Sequence, residues 1–551
     1  MWKTAKYPAL LVLCLLLLIV AGCFPSSQIS IAPVGAAEQI NTPTIVSTSS
    51  ASEAPAAAPA AAGYDWPQFN FDPQHSGNNT EEAVLGASNV ASLQLLFRVK
   101  LPAVADGSPA YLSGVSTSEG VKDLLFMTTK DGRILAVDAH SGAIVWSHQY
   151  GPNGCLVNNN LDRNEACYTT SSPAIDPNRQ YVYSYGLDGK VHKYQVGNGN
   201  EITTGGWPAI ATLKGWNEKG SSALSIATAK NGKSYLYVAN GGYPGDQGDY
   251  QGHITAIDLA TGAWHVFNAL CSDAPVHFEQ SPASPDCPAV QSAIWARAGV
   301  VYNPGNDRIY MATGNGNFDP NNHDWGDTVF SLNSDGTGAG GNPLDTYTPT
   351  NFQQLDDADA DLGSTAPAIL PTLTGSSVAY VAVQGGKDGL LRLLNLENLS
   401  GQGGTGHTGG EIGSAVDAPG KTGVLTQPAV WKNPSNGDVW VFVANGSGIA
   451  GYKAAVSAGK PTLAQQWSRP QGGTSPILAN GVIYYAGGST IYALDPLNGQ
   501  MLWSATLGGG IHWESPIVAN GVLYITDEGG NLSAFALILL NEHAYLPAIS
   551  R

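Results

Sequence analysis

Charged side chains are scarce, only 12% of the 551 residues, and basic ones are scarcer still, 25 lysines and arginines against 43 aspartates and glutamates. The resulting formal net charge of −18 argues against neutralising a phosphate backbone, so nucleic acid is excluded as a partner, and an anionic membrane face is disfavoured equally. No C-x-x-C-H occurs, so no c-type haem is built in. No G-x-S-x-G occurs either, and the scattered histidines suggest no Ser-His-Asp order, which sets aside serine hydrolase chemistry. The loop Gly314–Asp327 is rich in Asp and Asn but lacks the spacing and terminal Glu of an EF-hand. Helical periodicity is absent after the N-terminal apolar run, whereas Gly is abundant at 67 residues. That combination describes a turn-rich all-β protein.

What is present is a repeat. LLFMTTKDGRILAVDAHSGAIVWSHQY (124–150) and VIYYAGGSTIYALDPLNGQMLWSATL (482–507) place an Asp, a Gly and a Trp at one spacing, Asp138, Gly142 and Trp146 against Asp495, Gly499 and Trp503. Apolar alternation around a KDG or GGST turn, followed by a strand ending in Trp, reads as consecutive antiparallel strands, the content of one propeller blade. A small-residue strand precedes each unit: GSPA at Gly107, SSPAI at Ser171, SSALSI at Ser221, WARAGVVYN at Trp295, TAPAIL at Thr365, TQPAVW at Thr426, TSPIL at Thr474 and ESPIV at Glu514. No such unit buries its apolar face alone, so the pattern predicts an eight-bladed β-propeller of four-stranded antiparallel blades over residues 64–540. The last copy stops after NLSAFAL without its Trp strand, and LQLLFRVKL (Leu93–Leu101) stands before the first copy without a blade. The spare strand is therefore expected to complete the last blade and close the ring, removing its open edges; an independent N-terminal hairpin is the alternative.

The chain opens with Lys3 and Lys6, an apolar run from Leu10 to Val20, and Val20-Ala21-Gly22-Cys23. These are the parts of an export signal, too short in its apolar core for a good membrane span. The Val-Ala-Gly-Cys end resembles the lipobox of bacterial lipoproteins, which implies removal of residues 1–22 and lipidation of Cys23; an ordinary secretory signal is the alternative. Residues 23–63 are rich in Ala, Pro, Ser and Thr and read as a tether. The expected location is outside the cytoplasm, on the outer side of the cytoplasmic membrane or in the periplasm or cell envelope, with membrane contact through the lipid only. Residues 541–551 read as a tail with no mechanism.

Cys14 and Cys23 aside, four cysteines remain, an even number in an exported chain. Three pairings are open. Each close pair lies within one irregular insertion, which favours Cys155 with Cys167 and Cys271 with Cys287, each loop stabilising the fold by roughly 3 kcal/mol in the chain-entropy model. A zinc site is the alternative, but no His stands at ligand spacing beside either pair.

The DGRILAVDAHSGAIVW pattern resembles the repeat of pyrroloquinoline quinone (PQQ) propellers, over most of the chain from Asp65 to Leu537. That family holds quinoprotein alcohol dehydrogenases, polyvinyl alcohol dehydrogenase-like enzymes and cofactor-free propellers that assist outer-membrane protein assembly. DWPQFNFDPQHSGNN and NVASLQLLFRVKLP also resemble the opening of the dehydrogenase branch. There the resemblance implies PQQ and calcium at one end of the propeller, with an Asp removing the alcohol proton and hydride passing to the quinone. IYMATGNGNF resembles the strand whose Asn ligates calcium, which puts Asn315 in that role. NFQQLDDADADLGSTAPAIL resembles the stretch around the catalytic carboxylate, with Asp359 as the base and Asp361 two positions on. VAVQGGKDGLLRLLNLENLSG resembles the turn whose Lys contacts the quinone oxygens, here Lys387. Read from the residues alone, Asn315 is a turn residue, Lys387 and Asp388 form a hairpin turn and Asp356 to Asp361 make a solvated acidic loop.

The departures are specific. The adjacent Cys-Cys pair that covers the quinone in many such dehydrogenases is absent. Gln247 stands about where the family's calcium-ligating Glu falls, leaving Asp246 and Asp249 as substitutes. Trp295 lies near the position of the Trp that stacks under the quinone, without falling on it. Two readings follow, a dehydrogenase oxidising a small alcohol or sugar with PQQ, calcium and a separate electron acceptor, or a cofactor-free scaffold binding protein or polysaccharide. The first requires Asn315, Asp359 and Lys387 to converge on one mouth of the channel.

Overall fold

The Asp–Gly–Trp spacing of the repeat is explained by what each residue does in the tertiary structure. In the computed structural model, which describes residues 63–150, 167–244, 246, 248–275 and 287–538, Asp138 accepts the backbone N–H groups of His140 and Ser141 through one carboxylate oxygen. This fixes the turn that leads into Gly142, whose φ of +75° is left-handed and costs glycine nothing. Trp146, within the following strand Ile144–Gln149, reaches out of its own blade and lies on the equivalent turn of the next one. Its indole N–H donates to the carbonyl of Val196 at 2.9 Å, and a Cβ on Gly199 would stand 2.6 Å from its ring. Trp467 repeats the arrangement on Pro496 and Gly499. Blades 1 and 2, and blades 6 and 7, are thus stapled together by an indole seated where only glycine leaves room.

Eight such blades are present, mostly four-stranded and antiparallel. The first strands are Ala110–Thr117, Ala174–Ile175, Ser225–Thr228, Val301–Asn303, Ala368–Ile369, Ala429–Lys432, Ile477–Ala479 and Ile517–Ala519, which define blades 1 to 8. Every one begins within or just after one of the eight small-residue segments. First strands of neighbouring blades approach one another around the axis, where small side chains permit close contact. The apolar core is accordingly distributed between blades: Phe126, Ala136 and Trp146 of blade 1 pack with Val182 and Tyr194 of blade 2, and Phe442 and Trp467 of blade 6 with Ile483 and Tyr485 of blade 7. Blade 3 departs slightly, because Glu218–Gly220 and Ser225–Thr228 both pair with Ser234–Gly242.

Blade 8 is closed as expected. Leu93–Lys100 pairs antiparallel with Asn531–Leu537, from Leu93 opposite Leu537 to Lys100 opposite Asn531, with a bulge between Leu95 and Phe97. Trp503 of blade 7 donates to the carbonyl of Leu93, so the closing strand also receives the staple. A second device was not legible in sequence. Residues 66–79 pass from blade to blade and supply partners to first strands around the ring. The carbonyl of Pro67 accepts Ile175 N–H, that of Pro73 accepts Tyr302, that of Ser76 accepts Val430 and that of Gly77 accepts Leu478, all within 2.9 Å. The Gln68 side chain accepts Ile226 N–H at 2.7 Å, and Asn79 donates to Val518 O at 2.8 Å. Phe69 and His75 are wholly buried there.

Cys271 and Cys287 form a disulfide, the local pairing expected. Cys167 is disulfide-bonded; Cys155, the partner expected for it, lies outside the described residues. The same holds for the signal, Cys23, most of the tether and the tail. Among the described residues no helix is long and apolar enough to cross a membrane.

Two measurements check this account. Gly199→Ala is expected to lower stability by about 3 kcal/mol in denaturant melts, since it combines left-handed strain with a clash on the indole. Gly403→Ala, with φ +75° and no neighbour within 4 Å, should cost only about 1 kcal/mol. Equal losses would refute the staple. Burial lowers the pKa of His75 to about 4, so above pH 6.5 it is neutral in folded and unfolded chains alike and contributes no pH dependence. As pH falls from 6.5 to 4 only the unfolded chain takes up the proton, and stability should fall by about 3 kcal/mol in total. His75→Gln should flatten that part of the stability profile relative to the parent.

Candidate functional site

Six of the candidate residues lie at one rim, where the chain enters each first strand and where the second and third strands turn. There a cavity of about 350 Å³ opens, within the size range of small-molecule sites. Asp246, Trp295, Asn315, Asp359, Asp361 and Lys387 all line it. The residues that the sequence placed in blades 3, 4 and 5 are therefore brought together.

The carboxylates order the rest. Gly314 allows the backbone to approach Asp361, whose Oδ1 would stand 2.6 Å from a Cβ at that position. That oxygen accepts the N–H of Asn315 at 2.7 Å, and Asp356 accepts the N–H of Gly316 at 2.8 Å. The carbonyl of Asn315 accepts Ser292 N–H. With its backbone so fixed, the Asn315 side-chain amide makes no hydrogen bond among the described residues. Lys387 sits in the turn after Val381–Gln384, and its ammonium lies 2.6 Å from Asp361 and 3.0 Å from Asp359. It also lies 5.5 Å from the ring centre of Trp295, within cation–π range.

The two partners of Lys387 differ. The Asp361 side chain is 6% exposed and that of Asp359 is 67% exposed. Burial pushes the Asp361 carboxyl above the usual range even against the pull of Lys387. Burial disfavours the charged lysine too, but the two carboxylates outweigh it and hold Lys387 above its ordinary value. Behind them Asp327 is pushed up to about 8 by burial; it accepts Leu362 N–H and so fixes the backbone next to Asp361. Asp359 adopts φ +51°, a conformation that Asp tolerates.

The two metal-ligand candidates of blade 3 separate. Asp246 lines the cavity and accepts the Tyr250 hydroxyl at 2.6 Å. Asp249 does not line it, being held by Lys214 at 2.9 Å and by Gln251 at 3.0 Å. Gln247 lies outside the described residues.

Several lining residues were not foreseen. Arg297 is 2% exposed, and its guanidinium donates to the carbonyls of Thr170 and Ser221 at 2.8 Å each. Burial lowers its pKa to about 10, which leaves it charged at neutral pH. The available signal was its place in WARAGVVYN, two residues after Trp295 in the turn that leads into Val301–Asn303. His512 and Trp513 come from the entry to blade 8, and Trp513 meets Trp295 edge to face at 6.5 Å. Only the neighbouring ESPIV segment could have pointed to them. Lys219, Tyr168 and Tyr243 complete the aromatic and cationic wall.

The lining suits PQQ, a flat aromatic tricarboxylate. Lys219, Arg297 and Lys387 answer its anionic groups, and Trp295 and Trp513 offer aromatic surface. Calcium needs several hard oxygens, and Asp246, Asn315 and Asp361 would supply them, Asn315 with an amide not committed elsewhere. The residues present fit both groups.

Residues 102–265 and 429–538 match the PQQ-repeat family model described as outer membrane protein assembly factor BamB. The stretch between them spans blades 4 and 5 and carries Asn315, Asp359, Asp361 and Lys387. No curated protein matches the chain. Among solved structures it is similar to the quinohemoprotein alcohol dehydrogenase of Pseudomonas putida HK5, at 15% identity and a TM-score of 0.58, over 88% of this chain and 82% of that one. The corresponding enzyme of Comamonas testosteroni gives 16%, 0.56, 88% and 82%. A europium-containing methanol dehydrogenase gives 16%, 0.56, 87% and 98%. At these identities the likeness is one of fold.

Removing the Lys387 charge should leave Asp361 buried without a cation. Lys387→Met is expected to cost about 2–3 kcal/mol at pH 8 and less at pH 5, because an unpaired buried carboxyl takes up a proton as pH falls. In an Asp361→Asn background the same change should cost under about 1 kcal/mol. Additive losses would show that the pair does not hold the site.

Proposed function

We propose that this PQQ-repeat propeller is an exported, lipid-anchored dehydrogenase that oxidises an alcohol or sugar hydroxyl with bound PQQ and calcium. The observation that carries the reading is the convergence of Asp246, Trp295, Asn315, Asp359, Asp361 and Lys387, from three different blades, on one cavity. When bound, PQQ with calcium supplies an electrophilic hydride acceptor. The work left to the chain is to bind, orient and move a proton. Asp359, the more exposed partner of Lys387, is the group free to reach a substrate hydroxyl and take its proton. Asp361, held beneath it, fixes the lysine ammonium. Lys387 then provides a fixed positive charge where negative charge develops, an arrangement that needs no reorganisation during reaction. Arg297 and Lys219, which line the same cavity, hold further anionic groups. Without a C-x-x-C-H haem site, electrons leave to a separate acceptor.

The second reading is a cofactor-free scaffold for a protein or polysaccharide partner. It is favoured by the description of the matched family model, an outer-membrane assembly factor, and by the fact that Lys387 is already neutralised by Asp359 and Asp361.

Reconstitution separates the two. Purified protein with PQQ and calcium should retain the quinone through gel filtration and reduce a dye with simple alcohols. Lys387→Met should weaken retention at least tenfold, about 1.4 kcal/mol. Asp359→Asn should keep the quinone and lose turnover by roughly 10²–10⁴-fold. Failure of the parent protein to retain PQQ with calcium present would favour the scaffold.

A further inference from the structure

The cavity has a neighbour of a different chemical character. A second recess, also about 350 Å³, lies between the middle turns of blades 6 and 7 and shares Leu425, His512 and Trp513 with the first. His512 aside, no ionisable side chain lines it. The remaining wall is Ile511, two threonines, Asn445 and five glycines. Asn445 is already committed, donating to the carbonyls of Pro419 and Thr422 in the segment before blade 6 and accepting from Ser447 and Gly448 of its own turn. A Cβ on Gly446 or Gly488 would meet nothing within 4 Å, so at both positions bare backbone faces open space.

His512 stands on the partition in a fixed orientation. Its Nδ1 lies 2.7 Å from Asp106 Oδ2, and Asp106 is buried and also bound by Lys130 at 3.0 Å and by the N–H of Trp513 at 2.9 Å. The carboxylate therefore fixes the ring with its Nδ1 proton toward Asp106, and Nε2 is left to hydrogen-bond a hydroxyl, which can donate or accept. Arg297 lies 5.6 Å from the Trp513 ring, and Glu514 accepts the backbone N–H of His512 at 2.7 Å, which completes the support of this wall.

We infer that this recess is a subsite for an uncharged, hydroxyl-rich segment, a sugar ring or polyol chain, whose end reaches the first cavity past His512 and Trp513. An anion or cation would be desolvated there with no counter-charge. An alkyl chain would cover bare backbone without satisfying it. A sugar offers hydroxyls to the backbone groups and to His512 Nε2, and its C–H face to the Trp513 indole. That the occupant is also oxidised rests on the dehydrogenase reading; its binding does not.

Calorimetry on the full chain without cofactor tests the site, with maltotriose, sorbitol, gluconate and 1-hexanol as probes. Maltotriose and sorbitol should bind at about millimolar Kd, and gluconate and hexanol at least tenfold more weakly. Gly446→Leu, which fills the recess at a position without left-handed φ, should weaken maltotriose at least tenfold and leave PQQ retention unchanged. His512→Gln should weaken it severalfold, which keeps the test open should the glycine variant fold poorly. Maltotriose binding indifferent to both changes, or matched by hexanol or gluconate, overturns the subsite. Maltotriose binding that responds to Gly446→Leu in a protein that does not retain PQQ upholds the subsite and removes the dehydrogenase reading. PQQ-dependent turnover of simple alcohols without maltotriose binding does the reverse.

Discussion

Two of the propeller's blade-to-blade joins depend on an indole seated over a glycine. A single four-stranded blade exposes two apolar faces and cannot bury either one by itself. Trp146 over Gly199 and Trp467 over Gly499 convert that deficit into a join, because the wide ring covers the turn of the next blade and its N–H finds a carbonyl there. The geometry demands no side chain on the turn residue and a left-handed backbone at it. Glycine alone meets both demands. The repeated spacing of Asp, Gly and Trp is thus the trace of an inter-blade contact, although it is read along one blade at a time.

A ring built this way has two further needs, and the N-terminal segment answers both. Its last blade lacks an outer strand, which Leu93–Lys100 provides with a register that brings Leu93 under Trp503. Its first strands present unpaired backbone groups to the axis, where water would have to be admitted or the groups left unsatisfied. Residues 66–79 fill that space and bond to blade after blade. The far rim is left for function. Segments entering the blades carry no ladder obligations beyond their first residues, and middle turns project free side chains, so residues from distant parts of the chain can meet there.

At that rim the charges are arranged in compensating sets. Lys387 lies between a buried and an exposed carboxylate, and their unequal burial gives them unequal work: Asp361 anchors the lysine and the Asn315 backbone, while Asp359 stays accessible. Arg297 is neutralised mainly by carbonyl dipoles, with Asp106 and Glu514 acting at longer range. The recess beyond His512 has no such charges, and the transition from one cavity to the other is a transition in the kind of ligand each can desolvate.

Much of the fold was legible because repetition multiplies a weak local signal. Eight small-residue segments, a missing final Trp strand and a spare strand before the first copy were enough to give blade number and closure, since sheet pairing obeys local alternation. The local Cys271–Cys287 bridge followed from spacing in the same way. Asn315, Asp359 and Lys387 could be picked out through resemblance, but the sequence did not distinguish Asp246 from Asp249, which differ only in whether the carboxylate faces the cavity or Lys214. Nor did it show that Arg297 and His512 line the same cavity as Lys387, or that residues 66–79 bond to one blade after another. The sequence by itself determined the blades, because a blade is made by neighbours along the chain. Only the tertiary structure decided the site and the plug, because both are made by side chains and backbone groups from separate blades that meet only once the ring has closed.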